Sequence, residues 1–319
     1  MEEVMEEVIA NQTISGEAML LAGVAPYINA RGQEFYQLFQ YYPALEPFYF
    51  DWEKNYNPKP VLDYMGENSW LPILSVIAYM AFCYYGQILM KDRKAFSLKM
   101  ALAVWNLGLS AFSFIGVIRV APHLAHLVYF RGMEGLICLE PGHEYGSGAT
   151  GLWIQLFILS KFPELIDTVF IVLRKRKLIF LHWYHHVTVL LYCWHSYVTE
   201  NAAGITFCAM NYAVHALMYL YYAFQVFRYR PSWLKPWFIT TCQTSQMFVG
   251  IAVCVASWRI HKESLDGCGV QYSNIMAGAI MYSSYFYLFA AFAVSRYFFK
   301  KSPTKKVGPA VVENGKKNK

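Results

Sequence analysis

A chain of 319 residues that is 56% hydrophobic, 18% aromatic and only 15% charged lies far from the average soluble domain. Its net charge of +6 comes with no nucleic-acid-binding pattern, so nucleic acid is excluded as a partner. The composition directs the reading to a membrane.

The first 69 residues hold eleven acids against three bases, which leaves 24 bases and 10 acids for everything after them. The opening MEEVMEEV is acidic and has no long apolar run, unlike a cleaved signal peptide. Asn11-Gln12-Thr13 is a glycosylation sequon with Asn11 as the acceptor. Seven apolar stretches follow: Trp70–Met90, Leu98–Val120, Gly151–Leu173, Leu178–Val198, Ala203–Phe227, Trp237–Trp258 and Ile275–Phe299. Each is near the ~20 residues that cross hydrocarbon as a helix. They predict an all-α polytopic membrane protein with seven transmembrane helices. The divisions are an N-terminal segment over 1–69, a membrane domain over 70–299 and a basic tail over 300–319.

Basic clusters follow the first stretch (Lys91, Arg93, Lys94), the third (Arg174, Lys175, Arg176, Lys177), the fifth (Arg228, Arg230, Lys235) and the seventh (Lys300 onward). The positive-inside rule places these four in the cytosol, with the N-terminus luminal and the C-terminus cytosolic. Of the seven cysteines, five fall inside stretches as small apolar residues. Cys138 and Cys268 fall in expected luminal loops, where an oxidising compartment favours a disulfide between them. The closing Lys316-Lys317-Asn318-Lys319 resembles the dilysine retrieval signal of endoplasmic-reticulum membrane proteins, and a solvated basic tail is the competing reading.

Polar constellations interrupt the apolar stretches. In the third, Lys161, Glu164, Asp167 and Thr168 fit within about one third of a helix circumference. A cation and two carboxylates at that depth can neutralise one another, and a structural ion pair is the plainer reading. Pro163 frees a carbonyl and is expected to kink the helix. In the fourth, LHWYHH puts His182, His185 and His186 on one helical face. Ionisable clusters at bilayer depth are costly unless they serve a function. The fifth aligns Asn211, His215, Met218, Tyr219 and Tyr222, where Asn and Tyr can fix a histidine tautomer. In the sixth, Gln243 and Gln246 share a side, which also suits plain helix joining. His123, His126, His143 and His261 fall near or in luminal loops, and His195 points away from the box. The run Arg174–Lys177 lies a few turns from His182 and suits either lipid headgroups or a phosphorylated substrate.

The ordered set KFPELIDT, HWYHH, HALMY and QTSQ resembles the signatures of the very-long-chain fatty acid elongases, and the resemblance covers Trp70 to the tail. It implies an acyltransferase of the endoplasmic-reticulum membrane, the 3-oxoacyl-CoA synthase of fatty acid elongation. Long-chain acyl-CoA and malonyl-CoA would give 3-oxoacyl-CoA, CoA and carbon dioxide, with no cofactor and no metal. It implies six of seven helices around a closed-ended acyl tunnel, the other elongation-cycle enzymes as partners, and a homodimer.

On that resemblance His185 is the expected nucleophile, forming an acyl-imidazole. His182, His186, His215 and Asn211 would stabilise the enolate oxygen. Glu164 and Asp167 would orient imidazoles, and Lys161 would balance their charge. Tyr219, Gln243 and Gln246 would bind the CoA arm or the thioester, and Arg174–Lys177 the CoA phosphates. Trp183 is closer to the branch acting on saturated and monounsaturated chains, with Met247, Ile251, Met281 and Tyr285 expected along the tunnel.

Two other classes compete. HxxHH also occurs in membrane di-iron desaturases and hydroxylases, but four interior imidazoles fall short of the about eight such sites use. A seven-span receptor or transporter would also tolerate intramembrane charge, although no half-helix repeat is visible.

Overall fold

The computed structural model describes residues 19–263 and 270–297. Asn11, Cys268, Lys300 and the closing lysines lie outside the described residues.

Near the start of the described residues is a short antiparallel hairpin, β1 (Tyr27–Ile28) and β2 (Glu34–Phe35), with Tyr27 opposite Phe35. Asn29 makes its turn: Oδ1 accepts from the Arg31 and Gln33 backbone N–H groups at 2.9 and 3.1 Å. Gly32 takes φ +77°, a conformation that costs glycine nothing. Three small helices follow, α1 (Leu38–Tyr41), α2 (Asp51–Lys54) and α3 (Lys59–Glu67). Residues 19–67 thus form a folded cap against one end of the helices.

The apolar stretches form α4 (Trp70–Met90), α5 (Lys99–Cys138), α7 (Gly148–Ser160) continued by α8 (Ile166–Leu173), α9 (Phe180–Val198), α10 (Gly204–Val226), α11 (Pro236–Glu263) and α12 (Tyr272–Tyr297). The short α6 (Pro141–Glu144) precedes α7. Four of these, α4, α5, α11 and α12, are long and apolar enough to cross a membrane. The third expected span is not one helix. A 3₁₀ turn over Pro163–Leu165 separates α7 from α8, because proline lacks an N–H and its ring opposes the preceding turn.

The second expected span ran to Val120, yet α5 continues to Cys138, with a kink at Gly132 (φ +65°). His123 and His126 are therefore corrected from loop to buried helix, at 2% and 4% exposure. His123 Nδ1 lies 2.8 Å from Thr150 Oγ1, and the His126 ring packs on Tyr41 with centroids 4.0 Å apart. The cap covers this extension, which is why a run read as loop stays helical.

Helix pairs close where a side chain is missing. α5 packs most extensively on α10, and α11 on α12. A Cβ on Gly116 would stand 2.4 Å from the Tyr212 ring, and one on Gly250 would stand 2.5 Å from Tyr282. Such small residues let membrane helices approach.

The cap is anchored by charge. Arg119 of α5 and Glu53 of α2 form a buried bidentate pair, with Nε to Oε1 and Nη2 to Oε2 both at 2.9 Å. Trp153 Nε1 donates to Glu53 Oε1 at 2.7 Å, and Arg119 Nη2 to the Phe48 carbonyl at 2.8 Å. An arginine within an apolar stretch needs such a partner. That requirement is a signal legible in the sequence.

Candidate active site

The break at Pro163 turns the KFPELIDT residues inward in two groups. Lys161, 2% exposed, sends Nζ to Glu164 Oε1 at 2.8 Å and to Asn211 Oδ1 at 3.3 Å. It also stands 4.0 Å from the Phe157 ring centroid. Ser160 Oγ donates to the same Glu164 oxygen at 2.9 Å. The other oxygen, Oε2, makes no hydrogen bond and lies 4.0 Å from His215 Nδ1. This compensates a buried cation with a carboxylate and leaves acceptor capacity facing an imidazole.

The second group is Asp167 and Thr168. Asp167 accepts hydrogen bonds from Trp105 Nε1 at 2.6 Å and Tyr219 OH at 2.8 Å. These bonds tie α8 to α5 and α10. Thr168 meets an imidazole. Its Oγ1, fully buried, lies 2.9 Å from His182 Nε2 and 2.8 Å from Tyr79 OH. Neither Tyr79 nor Trp105 was expected at the site. Each lies in an apolar stretch whose aromatics are numerous, so no local signal separates it from its neighbours.

The histidine box sits on α9. His182 and His186 have ring centroids 4.5 Å apart, and His185 and His186 5.6 Å. His185 turns toward α12, with Tyr285 5.0 Å from its ring and Tyr285 OH donating to its carbonyl at 3.2 Å. On α10 the His215 ring meets Tyr219 edge-on at 5.4 Å. Gln243 Nε2 donates to Met218 Sδ at 3.2 Å, and Gln246 is buried on α11. Arg174, Lys175, Arg176 and Lys177 form the turn between α8 and α9, with Lys175, Arg176 and Lys177 exposed. Lys175 Nζ donates to the carbonyls of Lys91 and Arg93 at 2.8 and 3.0 Å, joining two basic turns. Cys138 is disulfide-bonded. Among the described residues, no three His, Cys, Asp or Glu side chains are grouped to hold a metal ion.

A partly open cavity of about 1030 Å³, including space continuous with solvent, runs from Asn211 toward the cap. Asn211 lies at its inner end, with Phe157, Ile158, Val189, Phe207 and Met281 along its length. Of the side chains expected to set depth, Met281 lines it, whereas Met247, Ile251 and Tyr285 do not. An apolar cavity whose wall includes Asn211, the hydrogen-bond partner of Lys161, suits a substrate with one reactive polar end and a long apolar remainder.

Comparison with known proteins agrees. Residues 64–306 match the GNS1/SUR4 family. The chain is 40% identical over 260 residues to very long chain fatty acid elongase 6 of Gallus gallus, covering 81% of this chain and 96% of that protein. The Homo sapiens elongase 6 is 40% identical over 259 residues, covering 81% and 96%. Fatty acid elongase 1 of Trypanosoma brucei brucei is 37% identical over 274 residues, covering 77% and 87%. The family match and the length of these alignments place the chain in the GNS1/SUR4 fatty acid elongases, the condensing enzymes of fatty acid elongation.

Proposed function

We propose that this elongase joins long-chain acyl-CoA to malonyl-CoA in two stages, through an acyl-imidazole on His185. In the first stage the imidazole attacks the thioester carbon, the C–S bond breaks and CoA leaves as the thiol. In the second, malonyl-CoA loses carbon dioxide, and the electron pair left on its α-carbon forms the new C–C bond. The histidine is released as the acyl carbon changes partner. The observation that carries the reading is His185 beside His182 and His186, one helical turn from Val189 at the cavity wall. An acyl chain lying in that cavity presents its thioester to the box. Lys161, Asn211 and His215 supply the donors that a developing enolate oxygen requires.

The remaining assignments belong to the same reading. Seven passes cross the endoplasmic-reticulum membrane, with α7–α8, α9 and α10 carrying the polar site that makes them less apolar. Six of them enclose the acyl tunnel as one membrane catalytic domain over 70–299, with the 1–69 cap luminal and the 300–319 tail cytosolic. Cys138 pairs with Cys268, and Asn11 is a luminal glycosylation site. The basic turns at Lys91–Lys94 and Arg174–Lys177 face the cytosol and receive the CoA phosphates. Tyr219, Gln243 and Gln246 flank the CoA arm. The substrates are saturated or monounsaturated chains, and the chain works with the other elongation enzymes, as a homodimer. Four ordered signatures and near full-length relatives favour condensation over the di-iron and transport alternatives.

Purified protein with malonyl-CoA and a panel of acyl-CoAs is expected to yield 3-oxoacyl-CoA two carbons longer. His185→Ala should abolish CoA release even when malonyl-CoA is withheld. Normal release in that variant would remove His185 from the role.

A further inference from the structure

The cavity does not end in an apolar floor. Its outer end is lined by Asn29, Arg31, Lys59, Glu200 and Asn201. Arg31 stands at the tip of the β1–β2 hairpin, and its Nη1 donates to both oxygens of Glu200, at 2.9 and 2.8 Å. The hairpin is pinned beside that point, since Asn29 Nδ2 donates to the Gly142 carbonyl at 3.0 Å and to Gln33 Oε1 at 2.9 Å. Residues 27–35 lie outside the region that matches the family. The hairpin side of this wall therefore comes from the segment that precedes the family-matched region.

We propose that the hairpin tip is the terminal wall of the acyl cavity, and that Arg31 with Glu200 sets the longest chain the enzyme accepts. The inference rests on the acyl-CoA reading above. Each methylene that enters the apolar length of the cavity gains burial. A chain whose methyl end reaches the rim meets an ion pair, which it can only displace or desolvate. Gain turns to cost at that point. From Val189 to Tyr197, both on the wall, α9 rises about 12 Å, so a fixed length of chain fits before the rim. The pair can hold this limit while adding little to stability, because its side chains are 38% and 36% exposed.

The test uses the full-length protein with an equimolar mixture of saturated acyl-CoAs of graded length. Native mass spectrometry reads which lengths stay bound, and the same mixture with malonyl-CoA reads which are elongated. Replacing both rim charges by apolar side chains, Arg31→Leu with Glu200→Leu, should move both upper limits one two-carbon step longer. The relative kcat/KM for the first length that the unaltered chain rejects should rise about tenfold, the factor that two further buried methylenes supply. The charge swap Arg31→Glu with Glu200→Arg restores a polar rim and should keep the original limit. An unchanged bound-length profile in the leucine pair would overturn the proposal, as would a longer limit in the swap. Bound acyl-CoA without 3-oxoacyl product in the unaltered chain would refute the condensing reading instead, while the bound-length profiles still decide about the wall.

Discussion

Thr168 carries more of the site than its place at the end of KFPELIDT suggests. One hydroxyl joins Tyr79 on α4 to His182 on α9 at 2.8 and 2.9 Å, so the tautomer of His182 is tied to a phenol on a third helix. Tyr79→Phe removes that phenol without changing volume. It should lower kcat about five- to tenfold, since a buried hydrogen bond is worth about 1 kcal/mol, and leave KM for acyl-CoA nearly unchanged. Steady-state kinetics on the purified variant separates the two parameters, and a KM effect alone would remove Tyr79 from the positioning of His182. Local sequence showed that these residues share helical faces. It did not show which neighbours they meet, and Asp167 is the clearest case, with Trp105 and Tyr219 as its hydrogen-bond partners.

At the scale of elements, helix positions were legible because hydropathy is a local sum. The sequence stretch Trp70–Met90 coincides with α4, and Leu178–Val198 differs from α9 only by its first two residues. Pairing was not legible, because it depends on where two surfaces both lack a side chain. Gly116→Val should cost about 1–3 kcal/mol, because its Cβ would press into the Tyr212 ring at 2.4 Å. Gly250→Val should cost a similar amount against Tyr282. Gly108 has nothing within 4 Å of a built Cβ, so Gly108→Ala should be neutral or stabilising. Thermal unfolding in detergent compares the three, and equal melting temperatures would mean that the close approaches do not hold the bundle together.

For the whole molecule, the attachment of the cap matters most. Burial raises the pKa of the Glu53 carboxyl, but hydrogen bonds from Arg119, Trp153 and the Phe50 N–H outweigh it, leaving the value below the ordinary 4.5. A carboxyl depressed on folding stabilises the protein fully above its unfolded value. That contribution is lost as pH falls through the folded value. The cap should therefore stay docked at neutral and mildly acidic pH and loosen only below the ordinary glutamate range. Protease cleavage within residues 19–67, followed against pH, reads this directly, and loosening near pH 6 would contradict it. Arg119→Met strands the Glu53 charge and should cost about 3–5 kcal/mol, exposing the same segment at neutral pH.

The sequence alone determined the membrane class, the placement of the apolar helices and the ordered polar signatures that mark the family. Each of these depends on the identity and spacing of residues near one another in the chain. Only the tertiary structure decided that Glu53 anchors to Arg119, that the Thr168 hydroxyl meets His182, and that Arg31 of the hairpin pairs with Glu200. These contacts join residues 14 to 169 positions apart. A buried charge or hydroxyl requires some partner, but its own sequence neighbourhood does not say which one the packing will bring.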